Sequence, residues 1–135
     1  MAKTIKLKNN IYIDSKGIIY NRKTLFDILT PETIPLSNIT KNSTYVGNYG
    51  YMWVKKMGKL VIVNLDFQII SLPPTNTVLL SGFPTQQSNQ WAKGVLANAN
   101  HHVERAYIVG NDLKTDGAFT ETGWYGCQIK YFTED

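Results

Sequence analysis

The 135-residue sequence predicts an all-β chain: an antiparallel, jelly-roll-like β-sandwich behind a short N-terminal hairpin/helix connector. Three observations carry that prediction. The first is the stretch Trp53 to Phe67, WVKKMGKLVIVNLDF, where two strand-like runs meet at Gly58. Its second run alternates, with Val61, Val63, Leu65, Phe67 and Ile69 on one side and Asn64, Asp66 and Gln68 on the other. Side chains of a strand point to opposite faces with a period of two, so this run has one buried and one wetter face; a helix would scatter the same residues around its axis. The second is a series of short apolar runs with turn residues between them, as in a sandwich or barrel. The third is an aromatic content of 8 Tyr, 5 Phe and 3 Trp, which suits a pleated surface.

From the N-terminus, residues 4–20 hold the alternating pieces TIKLK and NIYID, then the turn Asp14-Ser15-Lys16-Gly17 and IIY, which read as small hairpins. Residues 24–29, TLFDIL, are the one helical candidate, with Thr24 as N-cap and Leu25, Ile28 and Leu29 on one face. Pro31 and Pro35 forbid regular structure around them, so a connector is placed at about 30–40. This divides the chain into an attachment segment, 1–38, and a sandwich, 39–135. Strands are expected near 43–46, 50–56, 59–71, 76–81, 92–98, 103–109 and 123–133. Leu72-Pro73-Pro74 ends the long strand because proline cannot donate to a ladder. In the last strand Tyr125, Cys127, Ile129 and Tyr131 share one face.

Composition narrows the function classes. A hydrophobic content of 43% with 18% charged residues belongs to a globular domain with a genuine core. The net charge of +4 is uneven: residues 1–60 carry ten Lys/Arg against three Asp/Glu, and residues 61–135 carry four against seven. Lysines that guard strand edges explain this better than a nucleic-acid surface, since Arg22 and Arg105 are the only arginines. A basic nucleic-acid-binding barrel would betray itself by affinity that falls steeply with salt. Cys127 is the only cysteine, which excludes an intrachain disulfide and reads as a small core residue. The start, MAKTIKLKNN, has no apolar signal region, and no run approaches a membrane span. The expectation is synthesis in a cytoplasm, without membrane insertion, so the sequons at Asn38 and Asn42 are coincidental.

The order of parts after residue 40 resembles the small β-sandwich domains at the distal ends of bacteriophage tail fibres and receptor-binding proteins. The matching pieces are Tyr51-Met52-Trp53, Gly58 and the strand Leu60 to Ile70, then Leu79-Leu80-Ser81-Gly82-Phe83-Pro84, then Gly123-Trp124-Tyr125 with Ile129 and Tyr131. The front segment, DSKGIIYNRKTLFDIL, looks like the connector of phage fibre and baseplate genes. Fibre proteins are usually much longer, so here about forty residues, or a second protein, must supply the attachment. The resemblance implies a non-enzymatic virion protein that forms a homotrimer, joins other virion proteins through its N-terminal segment and attaches to a host cell-surface saccharide. An alternative within the same setting is a structural component, such as a head fibre, decoration or baseplate piece, with no receptor contact. Trimer packing would use apolar residues on the wet face of the long strand, namely Leu60, Ile62 and Ile70, unless loops cover them.

Catalytic signals are thin. His101-His102 can share a metal only in a loop, and no cysteine or further histidine stands nearby, so no metal or cofactor is expected. Asn111 to Gly117, NDLKTDG, lacks the alternating oxygen ligands of a calcium loop, and its Asp116-Gly117 reads as a turn. Asp112, Asp116 and Glu121 could in principle pair as the acid and base of a glycosidase, and read as solvated. Binding is better supplied. A sugar site needs an aromatic ring for the apolar sugar face and amides or carboxylates for its hydroxyls. Gln87, Asn89, Gln90 and Trp91 in one loop have that mixture, and Asn100, His101 and His102 in the next add amide and imidazole groups. Trp91 is the leading candidate, against the alternative that it plugs the sandwich end. Trp53 and Trp124 are expected in the core.

Overall fold

A computed structural model describes residues 30–87 and 90–134, together with the strand backbone of 5–6, 11–14, 17–20 and 23–24. The described N-terminal strands are β1 (Ile5–Lys6), β2 (Ile11–Asp14), β3 (Gly17–Tyr20) and β4 (Lys23–Thr24), an antiparallel sheet in that order. The expected hairpin is present, with Asp14 paired to Gly17. Thr24, expected to cap a helix, lies in β4, and residues 25–29 of that helix lie outside the described residues.

The other described strands all pair antiparallel. They are β5 (Glu32–Ile34), β6 (Thr40–Lys41), β7 (Val46–Tyr49), β8 (Trp53–Met57), β9 (Leu60–Ile69), β10 (Val78–Ser81), β11 (Ala92–Ala97), β12 (Val103–Val109), β13 (Asp112–Thr115) and β14 (Gly123–Phe132). They form one sheet in the order β5-β8-β9-β14-β11-β12-β13-β10-β6, with β7 also on β9. The expected sandwich is thus built from a single hydrogen-bonded path that curls over on itself. Within that path β14 and β11 are joined by one residue pair, Ala97 with Gly126.

The alternation in β9 sets the inside of this curl. Val61, Val63, Leu65, Phe67 and Ile69 are all buried, and β14 places Tyr131, Ile129, Cys127 and Tyr125 opposite Val61, Val63, Leu65 and Phe67. From the other half, Leu79, Leu80, Leu96, Ala106, Ile108 and Leu113 join the same cluster. A register shift between Val78 and Leu80 lets both leucines of β10 turn inward, as a bulge does. Gly94 of β11 lies where an added Cβ would meet Ile129 Cδ1 at 2.7 Å and Cys127 Sγ at 3.2 Å. A side chain there would hold the two halves apart.

Three expectations are corrected. The stretch around Pro31 and Pro35 is not an irregular connector: both prolines flank β5, a three-residue edge strand hydrogen-bonded to β8. Neither proline has to donate to the ladder, so the residues between them can pair, and the main sheet begins before the boundary at 38. Residues 112–115, absent from the expected strands, form β13, between β12 and β10, with Leu113 and Thr115 buried. Trp53 and Trp124 are not core. Trp53 is half-buried on the outer face with Lys55 Nζ 4.9 Å from its ring, and Trp124 is 45% exposed. Parity decides this, because Val54 and Tyr125 take the inward positions next to them.

Candidate functional site

The sandwich has two polar ends, set by the directions of β11 and β14. At one end the chain leaves β10 and runs back across the end of β14 before it enters β11. Its backbone is tied on both sides. Gln86 N–H donates to Gly110 O at 2.8 Å, Tyr131 hydroxyl to Pro84 O at 2.7 Å, and Thr133 hydroxyl to Thr85 O at 2.7 Å. Above this floor lies a groove of about 500 Å³, lined among others by Leu60, Gln86, Gln87, Gln90, Trp91, Lys130 and Phe132.

Trp91 does not plug the sandwich. It is 54% exposed and lies flat on Tyr107, with ring centroids 4.4 Å apart and planes 10° from parallel. Tyr107 is itself buried and donates its hydroxyl to Asn76 Oδ1 at 2.9 Å, so the platform under Trp91 is pinned. Phe132, 60% exposed, is a second aromatic wall, next to its register partner Leu60. Gln87 and Gln90 are exposed and line the groove, and Asn89 lies outside the described residues. The charged residue of the lining is Lys130, and Lys93 Nζ stands 5.9 Å from the Trp91 ring centroid. Aromatic walls with amide groups and a cation bind polar ligands that also carry an apolar face.

At the opposite end, β11 and β12 are joined by a tight turn that holds Asn100, His101 and His102. Asn98 organises it: its Oδ1 accepts the backbone N–H of both Asn100 and His102 at 3.0 Å. His101 takes a left-handed backbone with φ 65° and is exposed. His102 Nε2 lies 2.7 Å from Glu104 Oε1, and its Nδ1 lies 3.5 Å from Glu121 Oε2. Glu104 also accepts the Thr120 backbone N–H at 2.9 Å. Burial alone would raise the Glu104 carboxyl, but the Thr120 N–H, the His102 ring and the Thr120 hydroxyl outweigh it and hold the group below its ordinary value. Asn98 donates to Glu121 Oε1 at 3.0 Å, and Tyr125 hydroxyl to Glu121 O at 2.6 Å. This network is well partnered. It ties residues 120–121 over Tyr125 and closes that end of the core.

The two halves of the expected site are therefore separate. Gln87, Gln90 and Trp91 come together, whereas Asn100, His101 and His102 stand at the far end of β11. Seven strand steps separate Trp91 from Asn98, beside His102, which sets them roughly 23 Å apart. The three carboxylates suggested as a hydrolytic pair are also apart in role. Asp112 accepts from Ser81 hydroxyl at 2.5 Å, Glu121 belongs to the capping network, and Asp116 lines a separate hollow with Arg105. Among the described residues no three His, Cys, Asp or Glu side chains group as metal ligands.

Sequence reasoning passed over Phe132 and Lys130, weighed Leu60 for packing between subunits alone, and left Gln86 out of the site although it opens the same loop. Parity would have found the first two: once Tyr125, Ile129 and Tyr131 face inward, Lys130 and Phe132 must face out. Gln86 had no such signal. Comparison of the chain with family models, curated proteins and solved structures finds no match.

Proposed function

We propose that this chain is a non-enzymatic binding module that recognises a saccharide in the groove between Trp91 and Phe132. The observation that carries the reading is the pair of exposed aromatic rings bounding an amide-lined groove on a pinned floor. Half-exposed large aromatics are costly to leave facing water, and sugar rings present apolar C–H faces that such rings cover. Gln87, Gln90 and Lys130 supply hydrogen bonds for hydroxyl groups. The virion setting, with host attachment by a homotrimer, rests on the sequence resemblance. The exposed residues Val95, Ala97 and Val103 support it, because they form an apolar strip on the outer face of β11 and β12 that suits packing between subunits. That same strip favours the second reading, a structural virion component whose contacts are all with other proteins.

The test is a printed array of bacterial surface glycans probed with the wild-type chain and with Trp91→Ala. The module reading expects discrete hits that weaken at least tenfold in the variant. A wild-type chain that binds no glycan while light scattering reports a stable oligomer would replace it by the structural reading.

A further inference from the structure

Gln86 is 94% enclosed, lines the groove, and its Oε1 finds no hydrogen-bond partner among the described residues. Buried amide oxygens are ordinarily paired, so an idle one beside a binding groove needs a reason. Its position is not an accident of a loose loop, since the Gln86 backbone N–H is tied to Gly110 O and Gln86 bridges to Thr133. The terminal bond of a glutamine side chain is a soft torsion, so the amide plane is free to turn where the residue lines the groove.

We infer that Gln86 reads an N-acetylated amino sugar, its side-chain carbonyl accepting the acetamido N–H; this rests on the saccharide reading above. The choice of group follows from what the enclosed site can satisfy. A hydroxyl that donates there also brings two acceptor lone pairs into the same enclosure, whereas a secondary amide N–H brings a donor and nothing further to satisfy. The acetamido methyl suits the apolar walls of Trp91, Phe132 and Leu60, and its carbonyl suits the donors Lys130, Gln87 and Gln90. A simple hexose offers neither the methyl nor the carbonyl.

The experiment uses the full chain with two probes that differ at one substituent, chitotetraose and cellotetraose, measured by calorimetric titration. Wild type is expected to bind chitotetraose at least tenfold more tightly, in keeping with a site whose buried acceptor is left unpaired by the wrong ligand. Gln86→Met keeps the volume and removes the carbonyl; it should lose about tenfold or more for chitotetraose while its melting temperature holds or rises. Equal binding of the two probes by wild type overturns the inference and leaves the saccharide reading intact, provided Trp91→Ala abolishes both. Unchanged chitotetraose affinity in Gln86→Met overturns it as well. A melting temperature that collapses in Gln86→Met assigns the amide a structural role instead. A wild-type chain that binds no sugar at all removes both readings together.

Discussion

Gly94→Ala tests how the curled sheet closes. The added methyl group would sit 2.7 Å from both Cδ1 and Cγ1 of Ile129 and 3.2 Å from Cys127 Sγ, well inside ordinary carbon contact distances. Ile129 is 2% exposed and belongs to the core cluster, so it has little room to withdraw. Overpacking of this kind costs about 1–3 kcal/mol. For a domain of this size that corresponds to a fall in melting temperature of roughly 3–12 °C. Ile129→Ala alone should cost about 2–5 kcal/mol, because it leaves a cavity between the halves. The two changes share one space. The double variant should therefore be more stable than the sum of the single losses by about 1 kcal/mol or more. Urea denaturation followed by tryptophan fluorescence and far-ultraviolet circular dichroism measures all three. If Gly94→Ala unfolds within about 0.5 kcal/mol of wild type, or the two losses simply add, β11 does not lie against β14 in this way.

Two other outcomes follow from the titrating groups. Burial pushes the Cys127 thiol up to about 11, so at pH 8 only about a thousandth of it is thiolate, and iodoacetamide should label the native protein far more slowly than the urea-unfolded chain; equal rates would contradict its partly buried place against the core. Glu104 is depressed below its ordinary value by contacts with Thr120 and His102, near Glu121 and Tyr125. A carboxyl lowered in the folded state adds stability that is complete above its unfolded value and fades as pH falls through the folded one. Glu104→Gln should therefore flatten the acid limb of the melting-temperature profile below about pH 5, and a variant with the wild-type slope would show that the carboxyl contributes nothing there.

Sequence alone determined the β class, the inward face of β9 and β14, the β2–β3 hairpin and the grouping of Gln87, Gln90 and Trp91, because a period of two and local turn chemistry are properties of neighbouring residues. It also held two signals that size obscured. Trp53 and Trp124 are large enough to suggest a core, yet parity with Val54 and Tyr125 sends both outward. Likewise Gly110-Asn111 between two alternating runs is a two-residue hairpin turn, and it marks β13. Tertiary structure decided the rest. How β11 meets β14 depends on one long-range pair, Ala97 with Gly126, and on the empty space at Gly94. Which loops meet depends on strand direction: β11 separates Trp91 from His102, while antiparallel β14 returns Lys130 and Phe132 to Trp91. The idle carbonyl of Gln86 depends on what the described segments around it fail to offer it. No local pattern of residues can encode a missing partner, because that is settled only when distant strands have taken their places.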